Sequence, residues 1–129
     1  MACRILIVDD SALLRRSLRT CIEFYTDWKV CGEAENGELA IQRVEELSPD
    51  VVILDWRMPV MDGVEAARQI HRRHPQTPMV MFVMHATEKV SLDARAAGVT
   101  YVLSKFDQSG RGLIDSIAEI LRLPGPDLS

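Results

Sequence analysis

Cysteine is scarce in this chain: its 129 residues hold only Cys3, Cys21 and Cys31, an odd number without a Cys-x-x-Cys pair. Neither a disulfide framework nor a zinc site is expected, and the thiols read as reduced and buried. Long hydrophobic runs are missing too. The longest cover about five residues, against the roughly 20 that a membrane-spanning helix needs. The N-terminus offers Ile5 to Val8 and then two acids, which is no signal-peptide core, so a cytoplasmic location is expected. Excess positive charge is the third absence. The 15 Lys and Arg against 19 Asp and Glu leave a net charge of −4, which opposes the phosphate neutralisation behind nucleic-acid affinity. No direct nucleic-acid binding by this chain is expected, and no membrane association.

What is present is an ordinary globular composition, 47% hydrophobic and 26% charged, in a length suited to one domain of roughly 100 to 200 residues. Four apolar runs stand out: Ile5 to Val8, Val51 to Leu54, Val80 to Met84 and Val99 to Leu103, the last interrupted by Thr100. They are continuous rather than alternating, the pattern of parallel strands covered on both faces. A weaker run, Trp28 to Cys31, fits a further strand. Between the runs the apolar spacing becomes helical: Leu14, Leu18, Cys21, Ile22 and Tyr25; Ala40, Val44 and Leu47; Val64, Ala67 and Ile70; Val90, Ala94 and Ala97; and Leu113 to Leu121. Asn36-Gly37 and Asp62-Gly63 with Glu65 read as helix starts, and Ser48-Pro49 and Gly98 as helix ends. Five strand-helix units in alternation predict an α/β fold with a five-stranded, doubly wound parallel sheet and helices on both faces.

In such open sheets ligands bind outside the carboxyl ends of the strands. Asp9 and Asp10 follow Val8, Asp55 follows Leu54, and Lys105 comes just after the last run. At an effective dielectric near 20, unit charges about 4 Å apart repel by roughly 4 kcal/mol, so clustered carboxylates call for a cation. Hard oxygen donors too few for a full protein cage favour Mg²⁺. Each acid alone has a plainer explanation, since Asp10-Ser11 could cap the first helix and Asp55 could open a surface turn. The combination of three acids and a lysine carries the functional reading.

The stretch Ile-Leu-Ile-Val-Asp9-Asp10-Ser11, then Leu54-Asp55-Trp56-Arg57-Met58-Pro59-Val60-Met61-Asp62-Gly63, then Ala97-Gly98 with Lys105 seven residues on, resembles the receiver domain of bacterial two-component response regulators. The resemblance spans about residues 3 to 122. It implies a (βα)5 flavodoxin-like receiver over residues 1–123, with 124–129, of linker composition, a tail or the start of a linker. It further implies that Asp55 is the phosphoacceptor, and that Lys105 pairs with the phosphoryl group. Mg²⁺ would be held by Asp10, Asp55 and the backbone carbonyl of Arg57, with Asp9 joining through water. The implied partner is a sensor histidine kinase or a histidine phosphotransfer protein, and a homodimer through the fourth helix, fifth strand and fifth helix is a further option. Such a domain is a phosphoacceptor signalling module rather than a turnover enzyme.

The chain departs from the family at the switch positions. Val83 stands where receivers carry a threonine or serine, and Val102 where they carry a tyrosine or phenylalanine. Thr87 is the nearest hydroxyl downstream, with helix capping as its plainer role. Tyr101 is one step from the aromatic position and should point to the other face of its strand. Phe106 replaces a common proline. Trp56, Met58 and His85 are expected around the site mouth, with Met58 and Pro59 shaping the loop. His71-Arg72-Arg73-His74 has metal-ligand spacing, against the plainer reading of a solvated helix end. The valines leave a second reading open, a receiver fold used for protein-protein interaction without phosphorylation. A haloacid-dehalogenase-type enzyme is disfavoured because Arg57 stands two residues after Asp55, where that family places its second acid. A flavodoxin-like or dinucleotide binder is disfavoured because Asp9-Asp10 would repel a phosphate.

Overall fold

The computed structural model describes residues 3–105 and 110–121. Phe106 and the tail 124–129 lie outside the described residues. Five strands and five helices alternate: β1 (Arg4–Val8), α1 (Ala12–Tyr25), β2 (Lys29–Ala34), α2 (Gly37–Leu47), β3 (Val51–Leu54), α3 (Gly63–Arg73), β4 (Met79–Val83), α4 (Glu88–Ala96), β5 (Tyr101–Ser104) and α5 (Gly110–Leu121). The strands form one parallel sheet in the order β2-β1-β3-β4-β5. Because side chains alternate across a strand, each continuous apolar run feeds two separate cores. Ile5, Ile7, Val51, Ile53, Val80 and Phe82 pack with Leu18, Ile22, Leu113, Ile114 and Ile117 of α1 and α5. Leu6, Val8, Val52, Leu54, Met79, Met81 and Val83 pack with the apolar faces of α2, α3 and α4. This doubly covered sheet is why the runs show no polar alternation.

Four helices begin on a side-chain cap. Ser11, Asn36, Asp62 and Thr87 accept hydrogen bonds from the backbone N–H groups of Leu14, Leu39, Glu65 and Val90. Helix α4 closes on Gly98 at φ 98°, a left-handed conformation suited to glycine.

Three expectations need correction. Strand β2 begins after Trp28 and continues to Ala34. Its pairing to β1 skips Cys31 at a bulge, and its charged Glu33 is paired rather than solvated, so hydrophobicity marks this edge strand poorly. Tyr25 does not face the core: it is 43% exposed, with the Arg111 guanidinium 5.2 Å from its ring centre. Of the cysteines only Cys3 is fully buried, Cys21 and Cys31 being half-buried, although all three are free thiols.

The loop entering α3 carries local strain. Val60 has φ 70° and is 75% exposed, and a β-branched residue in the left-handed region costs roughly 1 to 3 kcal/mol. The Val60→Gly variant is expected to gain about 1 kcal/mol, part of the relieved strain being offset by the larger unfolded-state entropy of glycine. Urea unfolding with an unchanged denaturant slope would register the gain as a higher midpoint.

Candidate functional site

Backbone ladder bonds carry Asp9 and Asp55 to one edge of the sheet, with Asp10 next in the chain after Asp9. The Asp55 N–H donates to the Val8 carbonyl (2.9 Å), and the Asp9 N–H to the Ala34 carbonyl (3.0 Å), extending the β1–β3 and β1–β2 pairings by one residue past the strand ends. One oxygen from each of Asp9, Asp10 and Asp55 can lie within 4.8 Å of the others. Lys105, just past β5, is anchored by its N–H donating to the Val83 carbonyl (2.7 Å). Its Nζ donates to Asp9 Oδ2 at 3.0 Å and lies 3.3 Å from Asp55 Oδ2. A solvated surface lysine is thereby excluded, since only 18% of this side chain is exposed.

Asp9 is almost fully buried, and its Oδ1 accepts from the Ser11 N–H at 2.9 Å. Asp55 accepts from the Trp56 N–H at 2.8 Å. Burial, and then the nearby Asp9 carboxylate, push the Asp55 carboxyl up from 3.8 to about 6, against the opposing pull of Lys105. Three carboxylates face a single ammonium, so the site holds uncompensated negative charge, and its donors are hard oxygens. That donor set fits a divalent cation of the Mg²⁺ or Ca²⁺ type. Among the described residues it is the only such group of three or more metal-ligating side chains.

A cavity of about 670 Å³ opens above the acids. Asp10, Trp56, Arg57, Val83, His85 and Thr87 are all on its wall, so most of the residues anticipated from sequence meet here. The Arg57 guanidinium lies over the Trp56 ring at 4.5 Å, a cation-π contact at the mouth. Val83 is buried at the end of β4 and is among the residues that line the cavity. Thr87 lines the cavity while its Oγ1 caps α4. Two anticipated site residues lie elsewhere. Met58 and Val102 pack against the core shared by α2, α3 and α4. Tyr101 points outward, 39% exposed, as strand alternation requires. His71 to His74 form no metal cluster among the described residues: His74 Nε2 contacts Glu45 Oε1 at 3.1 Å, and Arg73 reaches the same carboxylate.

In the sequence Gly63 reads only as part of the Asp62-Gly63 helix start. The structure shows that its N–H donates to the Trp56 carbonyl (2.7 Å), and that a Cβ at this position would lie 1.9 Å from the Asp55 carbonyl oxygen. No local signal beyond Asp-Gly at a helix start reveals that approach.

The family model for the response regulator receiver domain matches residues 5–115. The chain belongs to the response regulator receiver family. This receiver is 40% identical over 107 residues to a protein-glutamate methylesterase/protein-glutamine glutaminase of Alkalilimnicola ehrlichii, covering 81% of the receiver and 27% of that protein. A protein of the same name from Pseudoalteromonas atlantica is 39% identical over 121 residues, covering 92% and 32%. The chain thus spans about a third or less of these curated relatives. Among solved structures, the response regulator domain of Thermotoga maritima CheB superposes with a TM-score of 0.88 at 29% identity, covering 96% of this chain and 99% of that one. The receiver's five parallel strands and five helices have the flavodoxin-like arrangement expected from the sequence. No helix among the described residues is long and apolar enough to cross a membrane.

Proposed function

We propose that this receiver accepts a phosphoryl group on Asp55 from the phosphohistidine of a sensor histidine kinase or histidine phosphotransfer protein, in a Mg²⁺-dependent reaction in the cytoplasm. It acts as a switch in phosphorelay signal transduction. The observation that carries this reading is the placement of Asp55, whose carboxylate is 13% exposed, beside Asp9, Asp10 and the Lys105 ammonium at the floor of an open cavity. An Asp55 oxygen forms the new O–P bond and the P–N bond of the donor breaks, its electron pair leaving on the imidazole nitrogen, which is then protonated. Lys105 meets charge on the transferred group, its Nζ already lying 3.3 Å from Asp55 Oδ2. Asp9, Asp10, Asp55 and the Arg57 carbonyl would hold Mg²⁺, whose chemistry is to neutralise charge spreading over the phosphoryl oxygens. On this reading the chain is a phosphoacceptor rather than a turnover enzyme. The methylesterase named in its longer relatives is no part of the proposal.

Intact mass after incubation with acetyl phosphate tests it. A single phosphoryl increment is expected with Mg²⁺, and none with chelator or in Asp55→Asn. Absence of the adduct under all conditions would overturn the reading in favour of a receiver fold that binds partners without phosphorylation, which Val83 and Val102 would suit.

A further inference from the structure

The acid-bearing turn after β1 is held from behind by a side chain that never enters the cavity. Arg15, in the second turn of α1, donates from Nη1 to the Asp9 backbone carbonyl at 2.6 Å. Its Nε donates to Glu33 Oε1 at 2.9 Å. Glu33, on edge strand β2, is fixed in turn by Arg19, whose Nη2 and Nε reach Oε2 at 2.8 and 3.0 Å. The Arg15 side chain is 15% exposed and that of Glu33 31%, so the pair is screened less than a surface ion pair. Desolvation of Glu33 is outweighed by its two arginines, which hold its carboxyl below the usual range.

We infer that Arg15 is a positioning residue for the cation and phosphoryl site, acting through the Asp9–Asp10 peptide. This rests on the reading given under Proposed function. The Asp9 carbonyl and the Asp10 N–H belong to one planar peptide unit, so clamping the carbonyl sets the plane from which the Asp10 side chain departs. The other ties to Asp9 act elsewhere: its N–H goes to Ala34, Oδ1 receives the Ser11 N–H, and Oδ2 receives Lys105. Arg15 alone among these partners grips the carbonyl on the Asp10 side. The planar guanidinium suits the task, because one head group spans the Asp9 carbonyl and the Glu33 carboxylate from two directions. A lysine at this position has a single nitrogen and cannot reproduce that fork.

The control lies in the same network. Among the described residues Arg19 shares Glu33 and otherwise donates to the Val30 carbonyl, not to Asp9, so Arg19→Ala weakens the α1–β2 contact without releasing Asp9. Mg²⁺ titration followed by Trp56 fluorescence, on the 129-residue chains well below their unfolding midpoints, separates the two arginines. Arg15→Ala and Arg15→Lys are expected to raise the Mg²⁺ dissociation constant about tenfold, in the range found for residues that orient metal ligands from behind. Arg19→Ala is expected to stay within about twofold of the wild type, whatever its effect on urea stability. Equal Mg²⁺ affinity in the wild type and Arg15→Ala would overturn this inference while leaving the phosphoacceptor reading intact. Equal weakening in Arg15→Ala and Arg19→Ala would also overturn it, by showing a general loosening of α1 on β2. A wild type that neither binds Mg²⁺ nor forms the acetyl phosphate adduct would overturn both.

Discussion

Gly63→Ala is expected to lose about 2 to 4 kcal/mol of stability, a large effect for a single added methyl group. The new Cβ would stand 1.9 Å from the Asp55 carbonyl oxygen, 2.9 Å from its carbonyl carbon and 3.1 Å from the Trp56 Cα. All three are backbone atoms, so no rotamer change relieves the clash. Relief must come from moving the start of α3 or the Asp55–Trp56 peptide. The first breaks the bond from the Gly63 N–H to the Trp56 carbonyl, which closes the loop from 56 to 63. The second shifts Asp55, the proposed acceptor. A displacement on the scale of an ångström at a reacting group slows chemistry by up to about a hundredfold. Both effects are therefore expected together: a lower urea midpoint, and, in protein that remains folded, an acetyl phosphate adduct that accumulates at least about tenfold more slowly. A variant with wild-type stability and adduct rate would show that the loop yields freely and that the close approach is incidental.

Asp55→Asn is expected to be more stable than the wild type in metal-free buffer. Burial and the Asp9 charge raise the Asp55 carboxyl to about 6 in the folded protein, from an ordinary 3.8. A raised carboxyl favours folding fully below the unfolded value, and that contribution is lost as pH climbs from about 4 through about 6. Above that window the wild type carries the whole cost of an ionised buried acid, about 3 kcal/mol at pH 7, and asparagine does not. Urea unfolding with chelator at pH 7 should show the difference, which shrinks to less than about 1 kcal/mol at pH 4. Lys105 keeps its partner Asp9 at 3.0 Å in the variant, so the substitution strands no buried cation. Added Mg²⁺ should narrow the pH 7 difference, because an ion held at the proposed site would stabilise the folded wild type by mass action. A variant less stable than the wild type at pH 7 in chelator would mean that the Lys105 attraction outweighs desolvation at this site.

The fold was legible because its strands are short and doubly covered. Val51 to Leu54 could be read with its limits intact, since nothing but burial on both faces keeps a polar residue out of such a run. Strand β2 was legible only in part, because an edge strand tolerates Gly32 and Glu33 once a neighbouring helix supplies arginines. The site acids were legible for a topological reason: in an alternating α/β chain, residues just after separate strands must meet at one sheet edge. Asp9, Asp10, Asp55 and Lys105 could thus be assembled from their positions after strands, and the caps Asn36 and Asp62 from local spacing alone.

Sequence by itself determined the order of elements, the two apolar faces of the sheet and which carboxylates share an edge. These depend on hydrophobic period and chain order, both written along the chain. Only the tertiary structure decided that Lys105 bridges two of the acids, that Gly63 lies against the Asp55 carbonyl, that Met58 and Val102 pack against the core, and that Arg15 reaches back from α1 to the Asp9 carbonyl. Each of these is a distance between groups on separate elements and loops, or a side-chain direction set by packing. Such quantities exist only once helices and strands are docked, because the same residue types at the same spacing are compatible with many dockings until the cores close around them.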